Sequence, residues 1–191
     1  MKPILIPIEI SARHVHLTAE DWKTLFSTPH PTVSKLISQR PQFVATERVE
    51  LLGPKGGIKN IGVVGPVRPY SQVELSRTDA RTLGIDAPLG SSGELKGAAE
   101  ITIRGPKGQI TIRGAMVQQR HIHASPEEAD RAGLRHGDSV RVRILGARGG
   151  ELDHVLVRIH PTFTWHLHLD TDEANAMGVG VGSEAQVIVR A

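Results

Sequence analysis

The sequence reads RHVHLTAED at residues 13–21 and RHIHASPEE at residues 120–128. In both stretches one residue separates the His-x-His triplet from a hydroxyl residue, Thr18 or Ser125. An acidic residue, Asp21 or Glu128, follows three positions after that hydroxyl residue. That spacing is typical of a strand that ends at a capped helix. The repetition indicates an internal duplication whose second half starts near residue 119.

The segments around these stretches predict short helices. Thr18 is expected to cap a helix that runs to about Phe26, and Ser125 is followed by proline at the first helical position. Ser76 is expected to cap a helix near 77–83, with Gly84 as its left-handed terminator. Each predicted helix lies next to a β-rich stretch, so helices are expected at strand ends.

Strand and turn signals fill most of the remaining chain, which has 20 glycines and 12 prolines. Residues 4–10 alternate as a strand, and GPKG turns at 53–56 and 105–108 indicate two hairpins. Residues 27–46 are expected to form a long loop or small lid.

These signals predict a mainly β protein with two small β-barrels capped by short helices. Residues 1–12 hold too few strands for a barrel of their own, so the first strand is expected to join the C-terminal barrel. The predicted domains are 13–118, with a lid-like insertion at about 27–46, and 1–12 together with 119–191.

Composition excludes several classes of function. The chain lacks cysteine, so disulfides, thiolate metal sites and a cysteine nucleophile are excluded. Two Trp, one Tyr and three Phe are too few for single-stranded nucleic-acid stacking. No apolar run is long enough for a membrane helix, and the N-terminus is typical of a strand rather than a signal peptide. The net charge of +3 suits an anionic small substrate about as well as a nucleic acid.

The chain's three His-x-His triplets account for six of its ten histidines. Residues two apart on a strand point to the same face, so each triplet offers two imidazoles to one cation, and zinc suits them. The alternative is that the histidines decorate an exposed strand. The third triplet, His166-Leu167-His168, does not reveal which of its histidines would bind. The other four are expected at the surface or in loops: His30, His136, His154 and His160.

A zinc ion held by two histidines usually takes a carboxylate or a third histidine. The candidate carboxylates are Glu20, Glu74, Glu127, Asp170 and Asp172. Glu20 and Glu127 complete an HxHxxxE spacing, but first-turn positions in a helix account for them. Glu74 is favoured. Its segment also contains Arg68, whose planar fork suits phosphate, although a surface arginine is the alternative.

Four ordered motifs resemble the PduL-type phosphotransacylases, also called phosphate propanoyltransferases. They are SARHVHL at 11–17, RPYSQVELSRTDA at 68–80, RHIH at 120–123 and HLDTDEANA at 168–176. The resemblance covers most of the chain. It implies two β-barrels and reversible transfer of a propanoyl or acetyl group between coenzyme A and phosphate.

The resemblance also implies a site with two zinc ions between the barrels. One zinc would be held by His14, His16 and Glu74, and the other by His121, His123 and His168. Arg68 would hold phosphate, and Ser11 and Asn175 would lie in segments lining the coenzyme A site. A homodimer, with no nucleic-acid or membrane partner, is expected.

The chain departs from the family pattern in two places. It has Gln39-Arg40-Pro41-Gln42-Phe43 where the family usually has Gln-Pro-Gly-Gln-Phe, and it has His166 where an acidic residue is usual. Without an N-terminal extension for encapsulation, a free cytoplasmic enzyme is expected.

The expected mechanism needs no acyl-enzyme. Zinc lowers the pKa of a thiol, and the coenzyme A thiolate would attack the acyl phosphate directly while Arg68 stabilises the leaving phosphate. The alternatives are a dinuclear zinc hydrolase of thioesters or phosphoesters and a non-catalytic metal-binding module. A cupin-like oxygenase with one metal is less favoured, because it would not need the second triplet.

Overall fold

The computed structural model describes residues 3–180 and 182–188 and is mainly β. The strands in chain order are β1 (Ile4–Ile10), β2 (His14–His16), β3 (Val33–Leu36), β4 (Phe43–Gly53), β5 (Gly56–Gly65), β6 (Gln72–Leu75), β7 (Leu89–Gly90), β8 (Ala99–Arg104), β9 (Gln109–Gln118), β10 (His121–Ala124), β11 (Ser139–Ile144), β12 (Glu151–Ile159), β13 (His166–Leu169) and β14 (Glu184–Ile188). The helices are α1 (Ala19–Leu25), α2 (Arg77–Leu83), α3 (Pro126–Ala132) and α4 (Thr171–Ala176).

The chain forms two compact units. One consists of the residues up to Ser11 together with those from Gln119 onward, and the other is Ala12–Gln118. In the first unit, six strands close into a barrel in the order β1-β13-β10-β12-β11-β14. Strand β1 pairs in parallel with β13 and antiparallel with β14. The prediction that the first strand joins the C-terminal barrel is therefore confirmed.

The second unit also closes into a six-stranded ring. Its order is β4-β5-β2-β6-β9-β8, and the ring is completed because β8 pairs with both β9 and β4. Strands β3 and β7 extend this sheet at β4 and β9. Each unit has its own apolar core, built around Trp22 and Leu51 in the second barrel and around Ile122 and Val157 in the first. The predicted fold class is confirmed.

The two barrels have the same topology. Strand β2 pairs in parallel with β5 and antiparallel with β6, and β10 makes the same two kinds of pairing with β12 and β13. The repeating unit is a strand, a His-x-His strand, a helix, a hairpin, a strand, a helix and a strand. The opening strands of the two copies are β1 and β9. Strand β1 precedes β2 in the chain but pairs with β13, in the barrel that contains β10, and β9 precedes β10 but pairs with β6, in the barrel that contains β2.

The helix caps follow from the sequence. The side chains of Thr18, Ser76 and Ser125 each accept a hydrogen bond from a backbone N–H three residues on, as predicted. Gly84 ends α2 in the left-handed region, with φ of 76°, which an L side chain adopts only at a cost. Across residues 3–180 and 182–188, none of the helices has the length and apolar character needed to cross a membrane.

The two GPKG hairpin turns dock on helix ends. Both hairpins form where predicted, between β4 and β5 and between β8 and β9. The backbone N–H of Lys55 donates to the carbonyl of Leu83 at the end of α2, and that of Lys107 donates to the carbonyl of Leu25 at the end of α1. A side chain on Gly53 or Gly105 would collide with that same carbonyl oxygen. The repeated motif therefore packs against helix ends, a structural role that needs no phosphate contact.

Residues 27–46 are not wholly a loop. Val33–Leu36 forms β3, which pairs with the first residues of β4, and β4 itself begins at Phe43. The sequence signal was hidden because all four β3 residues are exposed and lack a buried apolar face. Glu47 holds the segment to β4: its carboxylate accepts hydrogen bonds from Thr32 N–H at 3.1 Å and from the hydroxyls of Thr32 and Thr28.

Candidate metal centre

The first triplet meets Glu74 across a strand pair. Strands β2 and β6 are antiparallel, with His14 opposite Glu74 and His16 opposite Gln72. Because side chains two residues apart share a face, both imidazoles reach the carboxylate. His14 Nε2 lies 3.6 Å from Glu74 Oε2, and His16 Nε2 lies 3.7 Å from Glu74 Oε1. His16 and Glu74 are buried, at 2% and 3% exposed.

Backbone carbonyls set the tautomer of both histidines. His14 Nδ1 lies 2.8 Å from the carbonyl oxygen of Ala12, and His16 Nδ1 lies 3.0 Å from that of Val64. A carbonyl oxygen only accepts, so each Nδ1 carries the proton and each Nε2 of a neutral ring presents a lone pair. The two Nε2 atoms are nevertheless 3.1 Å apart. A cation between the two nitrogen atoms and the carboxylate would offset their mutual repulsion, and the three residues form a group that could hold a metal ion.

The separations fit zinc. Tetrahedral zinc with bonds of about 2.0–2.1 Å places neighbouring ligand atoms roughly 3.3 Å apart. The two imidazole nitrogens are 3.1 Å apart, and each lies 3.6 or 3.7 Å from its nearer oxygen of Glu74, which is close to that value. Two neutral imidazoles and one carboxylate, with imidazole N–H groups held by carbonyls, are also a usual zinc donor set with its supporting contacts.

The second group repeats this arrangement with three histidines. Across the antiparallel pair β10 and β13, His121 lies opposite His168 and His123 lies opposite His166. The potential ligand atoms of His121, His123 and His168 all lie within 4.8 Å of one another. All three residues are buried, at 4, 7 and 6% exposed. His121 Nδ1 lies 2.8 Å from the carbonyl oxygen of Gln119, as His14 Nδ1 does from Ala12.

The structure separates the two histidines of the third triplet. His168 stands opposite the first histidine of β10, which is the position that Glu74 has in the other barrel. His166 stands where Gln72 stands, next along the strand. Its ring lies 6.4 Å from that of His168, and its Nδ1 is 3.2 Å from Thr164 Oγ1. The three-histidine group therefore contains His168, and His166 lies beside it.

His123 and His16 have different surroundings. His16 is tied to the Val64 carbonyl, whereas neither ring nitrogen of His123 has a hydrogen-bond partner among the described residues. The His123 ring instead stacks on Phe163, with centroids 3.8 Å apart and planes 27° apart. Burial, with His121, His168 and Arg158 nearby, lowers the pKa of His123. The lowered pKa keeps the His123 ring neutral. Stacking on Phe163, rather than a hydrogen bond to a ring nitrogen, positions the ring.

The pKa of His16 is also lowered, by burial first and then by His14 and Arg68, against the opposing effect of Glu74. A neutral imidazole is the form that binds a metal. Burial therefore favours the neutral ring of one histidine in each group, His16 in the first and His123 in the second.

Arg68 lies close enough to His16 to affect it. The Arg68 guanidinium donates to Gln42 Oε1 at 3.0 Å and to Ser92 Oγ at 3.1 Å. Its backbone N–H donates to the Leu17 carbonyl, which places Arg68 beside the end of β2. Gln42 belongs to the Gln39–Phe43 segment that departs from the family pattern. That segment therefore orients the arginine expected to hold phosphate.

The remaining predicted residues lie elsewhere. Ser11 follows β1, where its N–H donates to the Leu169 carbonyl at 2.8 Å, and Asn175 is exposed near the end of α4. The rejected carboxylates Glu20 and Glu127 are exposed in the first turns of α1 and α3. Asp170 caps α4, and Asp172 lies in its first turn. His30, His136, His154 and His160 are exposed, as predicted.

Sequence reasoning missed a pair of ion pairs beside the two groups. Arg13 Nη1 lies 2.8 Å from Asp79 Oδ1, and Arg120 Nε lies 2.7 Å from Glu173 Oε1. Each arginine precedes a His-x-His triplet, and each acid is the third residue of the helix that follows the partner strand. The sequence does contain a signal for these ion pairs, because both the arginine and the acidic residue recur at equivalent positions of the repeat.

Each of the two barrels carries a group of three side chains that could hold a metal ion. Comparison with known proteins gives the class of the chain. The family model for phosphate propanoyltransferase matches residues 7–180. The chain belongs to this family, and it is an acyltransferase.

Curated relatives agree. The phosphate propanoyltransferase of Limosilactobacillus reuteri is 43% identical over all of this chain and 91% of its own length. That of Citrobacter rodentium is 49% identical over 91% of this chain and 83% of its own length. That of Clostridioides difficile is 41% identical over all of this chain and 92% of its own length.

Proposed function

We propose that the protein is a zinc-dependent phosphotransacylase that transfers a short acyl group, propanoyl or acetyl, reversibly between coenzyme A and phosphate. The observation that carries the proposal is the pair of His14 and His16 Nε2 atoms, 3.1 Å apart and facing Glu74, repeated in the other barrel by His121, His123 and His168. Family membership supplies the acyl transfer and the substrate class.

The chemistry of the donor sets supports one zinc ion in each group, two in all. His14, His16 and Glu74 would hold one and His121, His123 and His168 the other. Zinc bound to such a set supplies positive charge that favours the thiolate form of a thiol and polarises an acyl oxygen. The chain has no cysteine, so the thiol that attacks in this proposal is that of coenzyme A.

Arg68 is proposed to bind the phosphate group of the substrate. Its guanidinium is oriented by Gln42 and Ser92, so the planar fork is preorganised for an oxyanion. Because these hydrogen bonds already restrict the side chain, less conformational entropy is lost when the substrate binds. Arg68 thereby stabilises charge on phosphate when it leaves, and holds it for attack in the reverse direction.

Coenzyme A is proposed to bind along the segments that contain Ser11 and Asn175. Both residues lie at the end of the barrel where β1 and β13 stop and α4 follows. The coenzyme A sulfur attacks the acyl carbon of the acyl phosphate, the bond to phosphate oxygen breaks, and phosphate leaves with its electron pair. The thiol proton is released to solvent before attack, and no acylated side chain forms.

A single assay tests the proposal against its rivals. Purified protein of measured metal content is incubated with propanoyl-CoA, with and without phosphate, and thiol release and propanoyl phosphate are followed. Phosphate-dependent release with equal amounts of both products, abolished by chelation, is expected. Thiol release that ignores phosphate would indicate a hydrolase, and bound zinc without turnover would indicate a metal-binding module.

Initial velocities test the absence of an acyl-enzyme. Varying both substrates should give intersecting lines in double-reciprocal plots, because both substrates must be bound together. Parallel lines, or a covalently acylated side chain found by mass spectrometry, would contradict direct transfer.

The domain division, the location and the partners are also part of the proposal. The two units are proposed to be domains, 13–118 and 1–12 with 119–191. The enzyme is proposed to act in the cytoplasm as a homodimer, without a nucleic-acid or membrane partner.

A further inference from the structure

The two ion pairs beside the metal-ligand groups occur at equivalent positions of the duplicated fold. Arg13 and Arg120 each come directly before a His-x-His strand, and Asp79 and Glu173 each occupy the third position of the following capped helix. The acids differ, Asp against Glu, and so do the caps, Ser76 against Asp170. The geometry has been retained although the residues have changed.

Each acid makes two contacts with its two oxygens. Asp79 Oδ1 accepts from Arg13 while Oδ2 accepts from the Ser76 N–H at 3.2 Å. Glu173 Oε1 pairs with Arg120 while Oε2 accepts from the Asp170 N–H at 3.4 Å. The arginine is therefore joined to the N-cap of the helix that follows Leu75 or Leu169.

The peptide just before each arginine bears the carbonyl that fixes a histidine tautomer. Ala12 O accepts from His14 Nδ1, and Gln119 O accepts from His121 Nδ1, both at 2.8 Å. The pairings of β2 and β10 with their antiparallel partners begin only at His14 and His121. The peptides Ala12–Arg13 and Gln119–Arg120 precede those pairings. The Arg120 carbonyl accepts from the Leu156 N–H at 3.2 Å, and anchoring each arginine side chain further restricts rotation of the peptide before it.

We propose that Arg13 and Arg120 are positioning residues for the two metal groups. Each arginine holds the preceding carbonyl in place, the carbonyl holds the Nδ1 proton of the following histidine, and Nε2 is left as the ligand. The inference rests on the proposed zinc sites for its effect on metal affinity, but the effect on the tautomer is a property of the chain alone.

Asp79 is buried, at 5% exposed, so its carboxylate lies in a low-dielectric environment that strengthens its interaction with Arg13. The Arg120 and Glu173 side chains are 30% and 19% exposed. Ion pairs on open surfaces have little effect. Arg13 is 41% exposed, but the acid of each pair is shielded and accepts a hydrogen bond from a helix cap. Outer contacts that orient a metal ligand typically change metal affinity 10–100-fold.

The first test measures zinc affinity of the full chain by competition with a chromogenic chelator. Arg120→Gln should weaken one of the two sites about 10–100-fold and leave the other unchanged. Arg13→Gln should weaken the other site by a similar factor. Arg141→Gln, which removes an exposed arginine paired with Asp153 in the same barrel as Arg120, is the matched control and should change neither.

If Arg120→Gln does not fold, Glu173→Gln tests the same pair from the other side, because glutamine still accepts the cap N–H. The Arg120→Gln, Glu173→Gln double variant should be no weaker than the worse single variant, since one interaction is lost in all three. Additive losses would overturn the proposed coupling.

The second test uses metal-free protein and reads the tautomers directly by ¹⁵N NMR. Wild-type His14 and His121 should be Nδ1–H tautomers, and each arginine variant should convert its own histidine to a mixture while the other stays unchanged. Unchanged tautomers, or an equal loss of zinc from both sites in each variant, would overturn the inference.

Failure of the zinc proposal gives a different result. Wild-type protein that bound no zinc would refute the metal sites, and a barrel-specific tautomer change would still support the positioning role. Zinc binding that no arginine variant altered in a barrel-specific way would refute the positioning role alone.

Discussion

Glu74 and His168 occupy equivalent positions in the two barrels. Glu74 stands opposite His14 across β2 and β6, and His168 stands opposite His121 across β10 and β13. In each case the strand that carries the residue is followed directly by a capped helix. One position of the repeat thus supplies a carboxylate in one copy and an imidazole in the other.

The equivalence predicts that Glu74→His will preserve metal binding. A histidine at that register position would give the first group the same three imidazoles as the second group has. We expect Glu74→His to retain about two zinc equivalents, because a neutral histidine can replace the carboxylate as a ligand. Glu74→Ala should lose about one equivalent, because it removes a ligand. Metal content after dialysis, measured on folded protein, checks this.

The reciprocal change, His168→Glu, supplies the matched control in the other barrel. It should retain zinc, and His168→Ala should not. Equal metal loss in Glu74→His and Glu74→Ala would contradict the equivalence of the two positions, provided that both variants remain folded by circular dichroism.

The two groups should hold zinc unequally. His16 Nδ1 is bonded to the Val64 carbonyl, whereas His123 has no hydrogen-bond partner among the described residues and stacks on Phe163. A missing outer contact lowers metal affinity about 10–100-fold, and the second group also lacks a carboxylate. Stepwise chelation of wild-type protein should therefore release zinc in two phases.

Variants identify which site empties first. In His121→Ala the easily removed phase should be absent and about one zinc equivalent should remain, in line with the loss of a ligand. In His14→Ala the tightly held phase should be absent instead. A single phase in the wild-type protein, or the opposite assignment, would show that the contacts around His123 and His16 do not govern affinity.

Arg68→Ala should impair phosphate use without loss of metal. The guanidinium is proposed to bind the substrate's phosphate, and removing one preorganised charge-stabilising group typically lowers turnover roughly 100-fold. Steady-state kinetics with propanoyl-CoA and phosphate, alongside metal analysis, measure both effects. Arg104→Ala is a suitable control, because that arginine pairs with Glu50 at an exposed position.

Unchanged kinetics in Arg68→Ala would exclude the residue from the phosphate site. Gln42→Ala gives a graded version of the test, because it removes one of the two contacts that orient the guanidinium while leaving its charge. A smaller loss than in Arg68→Ala, expressed mainly in the KM for phosphate, is expected.

Acid should release residues 28–32 from β4. Burial acts to raise the pKa of Glu47, but hydrogen bonds from its own backbone and from Thr32 and Thr28 outweigh it and lower the pKa. The stabilisation is thus complete above the ordinary glutamate pKa and is lost as pH falls through the lowered value. Hydrogen exchange of the Thr32 amide should accelerate only in that acid range.

Glu47→Gln is the control for this prediction. It removes the titrating group, so exchange at Thr32 should be faster at neutral pH and should no longer change with acid beyond the ordinary chemical dependence. A wild-type profile without an acid step would contradict the role of Glu47.

Much of the fold and of the candidate site could be predicted from the sequence. Residues such as His14 and His16 are detectable because a strand period of two places both on one face, and caps such as Ser76 because helix ends need side-chain acceptors. These are local rules, and the corresponding strands and helices formed where expected.

The features that were missed depend on distant contacts. Strand β3 has no buried face, so Val33–Leu36 carries no apolar alternation to detect. Spacing within one strand did not distinguish His168 from His166. The family resemblance implied His168, and the register between β10 and β13 places it opposite His121. The docking of Lys55 and Lys107 on helix ends likewise joins segments far apart in the chain.

The placement of β1 and β9 has a consequence for how such a chain could have arisen. A polypeptide with only one copy of the repeat would have its opening strand committed to a barrel that it does not itself encode, and its own barrel would have a gap of one strand. Two such half-length chains could close both gaps by exchanging these strands. The present chain is thus interpretable as an ancestral intertwined pair that gene fusion made into one molecule.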